Sequence, residues 1–373
     1  MLARQDGDWA LFPEPLPPGL EVEILPPDID LRTPSRTLAM ARGTLRSVAR
    51  ARGAVASLYR DCRADPLTAD EPARNLLRHL PFCARRRADV IHFEFLGTGA
   101  MYPLVKKLTG VPTVVSCRGS DIHLFELRGD QLQASMLRCL RDAAAVHCVS
   151  REIADNVERL IGPRPGIWIN RPAVDVAAIE PRSWDAPSKG PLKIVSVGRL
   201  SWHKAFDYFL AALSRVARQG VEFEATILGD GELLAPLRFS VADLGLEGKV
   251  HLPGAVKPDS VLDRLRDADV FVLPSHNEGV SNAALEAMAC ALPVISTCVG
   301  GMPEALREGV EGLLVPPRDI EGLATAICQL AMDRPRCAAM GLAARRRVEA
   351  EFSLERQVAT FEDMYQSVAR SAP

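Results

Sequence analysis

The stretch DVFVLPSHNEGVSNAALEAMACALPVIST, residues 269–297, runs from a β-branched segment through a polar loop and an alanine-rich segment into a second apolar run. Strand, loop, helix and strand in so short a span point to a unit of a parallel sheet. The stretch also raises a chemical question. Glu278 stands just before the helix and Glu286 well inside it. On one continuous helix, eight residues would set them about 12 Å apart along the axis and about 80° around it. Glu286 is embedded in AALEAMACA, where a carboxylate without hydroxyl or amide partners would be costly to bury.

Outward from this stretch the same pattern recurs. Short runs rich in β-branched residues occur at LEVEIL (20–25), ADVIHFEF (88–95), VPTVVS (111–116), AAVHCVS (144–150), LKIVSVG (192–198), EFEATILG (222–229), KVHLPG (249–254) and GLLVPP (312–317). Segments of helical period lie between most of them. Continuous apolar strands suit a parallel sheet covered on both faces, so the expected class is α/β. The alternation breaks once, at RPAVDVAAIEPRSWDAPSKGP (171–191), which has no period and reads as a linker between two α/β halves.

Composition narrows the function. The 373 residues are 47% apolar, enough for two buried cores. Lys and Arg number 45 against 47 Asp and Glu, a net charge of −2, which argues against the broad basic face of a nucleic-acid binder. The charge is uneven, however: from Arg32 to Arg63 there are eight arginines and a single acid, Asp61. The segment RTLAMARGTLRSVARARGAVASLYR places Arg42, Arg46 and Arg50 on one helical stripe, which fits either a solvated face or a helix lying against an anionic bilayer. Nine cysteines without a C-x-x-C pair, and seven histidines without a zinc-like spacing, suggest a reducing compartment and no structural metal. No apolar run reaches the roughly 20 residues of a membrane helix. MLARQDGDWALFPEP lacks the core of a signal peptide, and the expected location is cytoplasmic.

LKIVSVGRLSWHKAFDYFLAAL (192–213) reads as a strand, a turn at Gly198 and a helix whose first turn lies near Lys204. A helix start offers free N–H groups and the positive end of its dipole, and Arg199 and Lys204 add charge, so a diphosphate suits the junction. Taken alone, the two cations could be solvated loop charges. The loop before Val280 repeats the geometry, and both loops follow strand carboxyl ends, where open parallel sheets bind ligands. Three D-x-D strings, Asp6/Asp8, Asp28/Asp30 and Asp267/Asp269, invite a metal reading. The last begins the strand DVFVLPS, at the far end from the loops, and none has companion ligands.

GRLSWHK, the E-x7-E of Glu278 and Glu286, ALPVIST, VGGMPEAL, EGLLVPPRD and FSLERQVATFEDMY, in this order, resemble the retaining GT-B glycosyltransferases of family 4. The resemblance is strong over 190–373 and recognisable from about residue 88. It implies two Rossmann-like parallel-sheet domains facing a cleft: residues 1–175 on the acceptor side, completed by 352–373, and residues 190–351 binding the nucleotide sugar. It further implies that Arg199 and Lys204 hold the donor's diphosphate, that Glu286 accepts hydrogen bonds from the ribose and that Glu278 contacts the donor sugar. The amides of Gly279, Val280 and Ser281 would add donors. Gly198 and Gly229, with GDGEL (229–233), would lie at the nucleotide, and Gly254, in HLPGAV (251–256), near the base. In the family, retention is attributed to same-face attack, with a phosphate oxygen taking the acceptor proton.

The chain departs from the family where Arg118, in VVSCRGSDIH, stands in place of a usual histidine. An arginine is no base at neutral pH and would bind an anion or hydroxyl instead. His92-Phe93-Glu94 replaces a His-x-His, and His92 reads as a buried structural residue. Relatives begin with a strand and a Gly-Gly loop, whereas nothing before LEVEIL contains a Gly-Gly, so that loop is expected to be missing or substituted. The implied activity is transfer of a sugar from a nucleoside-diphosphate sugar to a polysaccharide, lipid-linked or small-molecule acceptor, with no cofactor and possible peripheral membrane contact. The alternatives are a non-catalytic sugar-nucleotide-binding protein and a GT-B nucleotide-sugar epimerase. Residues 352–370 should form a helix with Phe352, Leu354, Val358, Phe361 and Tyr365 on one face, returning to the first domain.

Overall fold

The computed structural model describes residues 52–83, 88–184 and 190–370. The expected strand at 20–25, the Gly-Gly question and the arginines from 32 to 50 lie outside them. By contacts the chain divides into two compact units. The first comprises Met1–Val115, Arg128–Ala144 and Val368–Pro373, the second Ser116–Leu127 and Ala145–Ser367. The second unit therefore reaches back well before the 171–191 segment, where sequence places the boundary.

In the first unit β1 (Ile91–Phe93) pairs in parallel with Thr113–Val115, the first residues of β2 (Thr113–Cys117), whose Ser116 and Cys117 belong to the second unit. The helix Arg52–Ala64 closes the described part of the arginine-rich segment. It buries Leu58 and Cys62 with Leu104, while Asp61 pairs with Lys107 at 2.7 Å. Its apolar stripe is thus spent on the core, and Arg60 and Arg63 are exposed. Buried His79 stitches the neighbouring helix Pro72–Cys83 to the chain: Nδ1 faces the Asn75 carbonyl at 2.8 Å and Nε2 accepts from the Leu104 amide at 3.3 Å. That pattern suits the neutral ring, and burial pulls the His79 pKa down to about 4. An unfolded histidine takes its proton at about 6.5, so this contribution is full above that pH and is lost as pH falls towards 4, at most about 3 kcal/mol. Urea unfolding of wild type and His79→Gln should show their stability difference narrowing below about pH 6. Parallel pH dependences would contradict the assignment.

In the second unit β3 (Ala145–Cys148) pairs in parallel with β4 (Ile167–Ile169), and the Val149 amide donates to the Cys117 carbonyl at the end of β2. A second, six-stranded parallel sheet contains β5 (Leu192–Val197), β6 (Phe223–Leu228), β7 (Val250–Gly254), β8 (Val270–Leu273), β9 (Val294–Thr297) and β10 (Gly312–Val315). Its order is β10-β9-β8-β5-β6-β7. The β8 run shows why continuous apolar strands are needed. Val270 and Val272 enter the core on one face of the sheet, Phe271 and Leu273 the core on the other. Strand order reverses between β5 and β8, where ligands of such sheets bind, and the GRLSWHK and HNEG loops leave the carboxyl ends of those two strands.

The described part of the segment read as a linker, up to residue 184, is pinned by polar contacts. Asp269, fully buried at the start of β8, accepts from Arg182 (3.0 Å), Arg334 (2.9 Å) and the Lys193 amide (2.9 Å). Arg182 lies over the Trp184 ring, whose Nε1 donates to the Ala291 carbonyl at 2.9 Å. Asp269 is therefore an ion-pair hub whose oxygens are taken up by two guanidinium groups and the Lys193 amide.

The C-terminal helix Leu354–Arg370 packs on the β3–β4 region. Asn170 Nδ2 donates to the Gln357 carbonyl and Gln357 Nε2 to the Arg171 carbonyl, both at 2.9 Å, and Phe361 meets the His147 ring edge-on at 4.8 Å. The expected apolar face needs one correction. Phe352, Met364 and Val368 are buried, but Leu354 and Val358 are exposed, because the packed stripe runs through half-buried Phe361 and buried Met364 and Val368 at spacings of three and four.

Candidate functional site

The sequence from Ser196 to Phe206 turns sharply twice. Gly198 follows β5 directly, a short 3-10 turn spans Trp202–Lys204, and Ala205, with φ 53°, turns the chain into the helix Phe206–Arg218. This places Lys204 back over Gly198, with Lys204 Cε 3.7 Å from where a Gly198 Cβ would stand. Opposite, the loop after β8 leads into the helix Asn282–Ala289, whose N-cap Ser281 accepts from the Ala284 amide at 3.4 Å. That loop is held from behind by VGGMPE. Gly301 N donates to the Gly279 carbonyl at 3.0 Å, and a Cβ on Gly300, at φ 53°, would stand 1.6 Å from the Glu278 carbonyl oxygen. Only glycine permits that approach.

Between the two loops lies a cavity of about 390 Å³ within the second unit. Of the residues singled out from sequence, Arg118, Gly198, Lys204, Glu278, Gly279, Val280 and Ser281 line it. Lys204 Nζ donates to both Glu278 carboxylate oxygens, at 3.0 and 2.7 Å, with side chains 15% and 12% exposed. An ammonium has three protons, so one remains for another acceptor. The Gly279, Val280 and Ser281 amides have no acceptor among the described residues, so the start of the helix presents unsatisfied N–H groups beside the ammonium. Such a set is chemically suited to an anion of more than one charge. Glu286, one face further along the helix, is half-buried; its backbone carbonyl accepts from the Cys290 amide, its carboxylate has no hydrogen-bond partner among the described residues, and burial raises its pKa.

The other expected residues sit elsewhere. Arg199 does not line the cavity: its side chain is 76% exposed, 3.9 Å from Glu232. Gly229 and Gly254 also lie off the cavity lining. Gly229 N donates to the Gly254 carbonyl at 3.1 Å, and a Cβ on Gly229 would stand 1.9 Å from the Gly198 carbonyl oxygen, so this pair packs the backbone behind the Gly198 turn. Arg118 caps the short helix Gly119–Ile122, and its amide donates to Asp121 at 3.2 Å.

Two histidines escaped the sequence reading. His203 lines the cavity beside Lys204; burial, and then the Lys204 charge, lower its pKa, so the ring is neutral at neutral pH. His123 follows the Arg118 loop and bonds to Asn277, the residue before Glu278. Its signal was present in VVSCRGSDIH, but its partner is 154 positions away. Glu304, in VGGMPEAL, was another silent residue. It accepts from the Arg151 and Glu152 amides, at 2.7 and 3.2 Å, and from Arg171 Nε at 3.0 Å, capping the helix Arg151–Ile161 from another element.

Residues 191–333 match the family model described as glycosyl transferases group 1, and residues 17–169 the model described as glycosyl transferase 4-like domain. Over 312 residues the chain is 31% identical to the D-inositol 3-phosphate glycosyltransferase of Thermobispora bispora, covering 75% of this chain and 70% of that one. The chain belongs to the group 1 glycosyltransferases. It is also 35% identical over 207 residues to the putative colanic acid biosynthesis glycosyltransferase WcaL of Escherichia coli K12, covering 54% of this chain and 51% of WcaL. The chain thus spans about half the length of some curated relatives it matches.

Among solved structures, sucrose-phosphate synthase from Thermosynechococcus elongatus superposes with a TM-score of 0.71 at 20% identity, covering 80% of this chain and 78% of that one. Anabaena HepE, in complex with UDP-glucose, gives 0.69 at 20% identity, covering 82% and 84%. The shared fold is GT-B. No helix among the described residues is long and apolar enough to cross a membrane.

Proposed function

We propose that this group 1 family member transfers a sugar, with retention and without a metal, from a nucleoside-diphosphate sugar to a polysaccharide, lipid-linked or small-molecule acceptor. The observation that carries the reading is the juxtaposition of Lys204 with the open amides of Gly279, Val280 and Ser281 across one cavity. The diphosphate sits between them, with positive charge already in place where negative charge develops as the nucleoside diphosphate leaves. Glu278 reads the donor sugar and Glu286 the ribose, so each carboxylate of the E-x7-E pair has its own sugar. Residues 1–175 with 352–373 form the acceptor side, and 190–351 the donor side. Arg118 binds an acceptor hydroxyl or anion. Arg199 swings from Glu232 to the outer phosphate. A lipid-borne acceptor suits the segment Arg32–Arg63, whose exposed Arg60 and Arg63 would face the anionic surface at the cytoplasmic side of a membrane. Gly229 and Gly254 serve the nucleotide by shaping the turn behind Gly198.

Incubating the chain with a panel of nucleotide sugars and candidate acceptors, while measuring released nucleoside diphosphate and the anomeric configuration of the product, tests the activity. Acceptor-dependent release with a retained anomer is expected. Binding without release would favour a non-catalytic nucleotide-sugar-binding protein. The ribose assignment has its own test: a 2′-deoxy donor should bind more weakly than the ribo-donor in wild type, and that penalty should shrink in Glu286→Ala. An unchanged penalty would give Glu286 another partner.

A further inference from the structure

His123 lies between two elements that meet at the cavity. Its Nε2 is 2.9 and 3.0 Å from the two Glu152 carboxylate oxygens, on the helix Arg151–Ile161, and its Nδ1 bonds to Asn277 Oδ1, on the loop after β8. Glu152 is held in turn by Asn156 Nδ2, and its backbone amide by Glu304. The His123 side chain is 16% exposed and does not line the cavity, whereas Asn277 and Glu278 do. Acceptors face both ring nitrogens. A neutral imidazole has one N–H and would leave one of these oxygens opposed to a lone pair; the imidazolium donates to both.

We propose that His123 is a positioning residue of the donor cavity: as an imidazolium locked by Glu152 it holds Asn277, and through it Glu278, in place for the donor sugar. The Glu278 role is the one given under the proposed function, on which this inference rests.

The charges around the ring agree. Burial pulls its pKa down, but the Glu152 hydrogen bond and charge, then Asn277 and the Glu278 charge, raise it above the ordinary histidine value. Glu152 faces it from the helix Arg151–Ile161, and Glu278 from the loop after β8, itself paired with Lys204 of the Trp202–Lys204 turn. On its own helix Asp121 is bonded to the Arg118 amide. A histidine with a raised pKa contributes fully below its unfolded value, and the contribution is lost as pH rises through the folded one. The alkaline limb of activity should therefore carry the His123 titration.

NMR of the full chain with labelled histidine, His123 being assigned through His123→Gln, measures the ring directly. It should titrate above the ordinary histidine value of about 6.5, with both nitrogens protonated at neutral pH, and move down in Glu152→Gln. In calorimetry with UDP and GDP as probes, His123→Gln should leave affinity within about twofold, since Lys204 and the open amides are untouched. With the donor found active it should lower kcat about tenfold, leave KM little changed and remove the alkaline limb of the wild-type kcat profile. A His123 that titrates at or below the ordinary value, as it would if the Asn277 amide were turned with Nδ2 towards a neutral ring, overturns the proposal. So does a kcat profile unchanged in His123→Gln. Failure of wild type to bind either probe would instead overturn the donor-site reading, and the NMR titration would still judge the clamp.

Discussion

Lys204→Ala is expected to weaken nucleoside-diphosphate binding about ten- to a hundredfold, equivalent to about 1.5–3 kcal/mol for a lost charge-assisted contact. Transfer should fall further, because the substitution also strips Glu278 of the ammonium bound to both of its oxygens. Arg199→Ala should cost less. Its guanidinium is exposed beside Glu232 and must reorient before it can help, whereas Lys204 already stands over Gly198. Calorimetry on both variants checks the order. Equal, small effects would remove Lys204 from the phosphate site; a larger effect for Arg199 would mean that the outer cation, not the one paired with Glu278, carries the affinity.

Asp269→Ala is expected to destabilise the protein by about 3–5 kcal/mol, the cost of breaking a buried ion pair while its partners remain. The carboxylate joins Arg182, Arg334 and the Lys193 amide, so its loss loosens the 171–191 segment, the edge of β5 and the helix Arg334–Glu351 together. Chemical unfolding should show the drop. Nucleoside-diphosphate affinity of the folded fraction should stay near wild type, because Asp269 lies at the opposite end of β8 from Glu278. A variant as stable as wild type would show that the hub is replaceable by packing alone.

These two positions also mark where sequence is informative and where it is silent. Parallel strands such as Val270–Leu273 declare themselves because both faces are buried, which imposes an unbroken apolar run. The junctions at Gly198 and at Gly279–Ser281 were legible for a related reason: a helix start that exposes N–H groups beside a lysine is a local pattern. What short spacing could not disclose was pairing across the chain. Lys204 and Glu278 are 74 positions apart, and sequence assigned them to different parts of the donor, yet in the fold they bond to each other. Gly300 read as part of a family motif, and its physical reason, a backbone pressed against the Glu278 carbonyl, needs coordinates. The aperiodic 171–191 segment looked like a free linker because ion pairs and an indole N–H leave no periodic trace. Likewise Leu354 and Val358 fit a loose helical face by spacing, but the stripe that packs is set by Phe361, Met364 and Val368.

The claim on which the rest depends is that the cavity between Lys204 and the start of the helix Asn282–Ala289 binds the donor's diphosphate. Hydrogen–deuterium exchange of the full chain with and without saturating UDP or GDP locates that site directly. Protection concentrated in 198–206 and 278–286 is the predicted result, and it should be much reduced in Lys204→Ala. Nucleotide binding that protects other segments and leaves these unchanged would contradict the account.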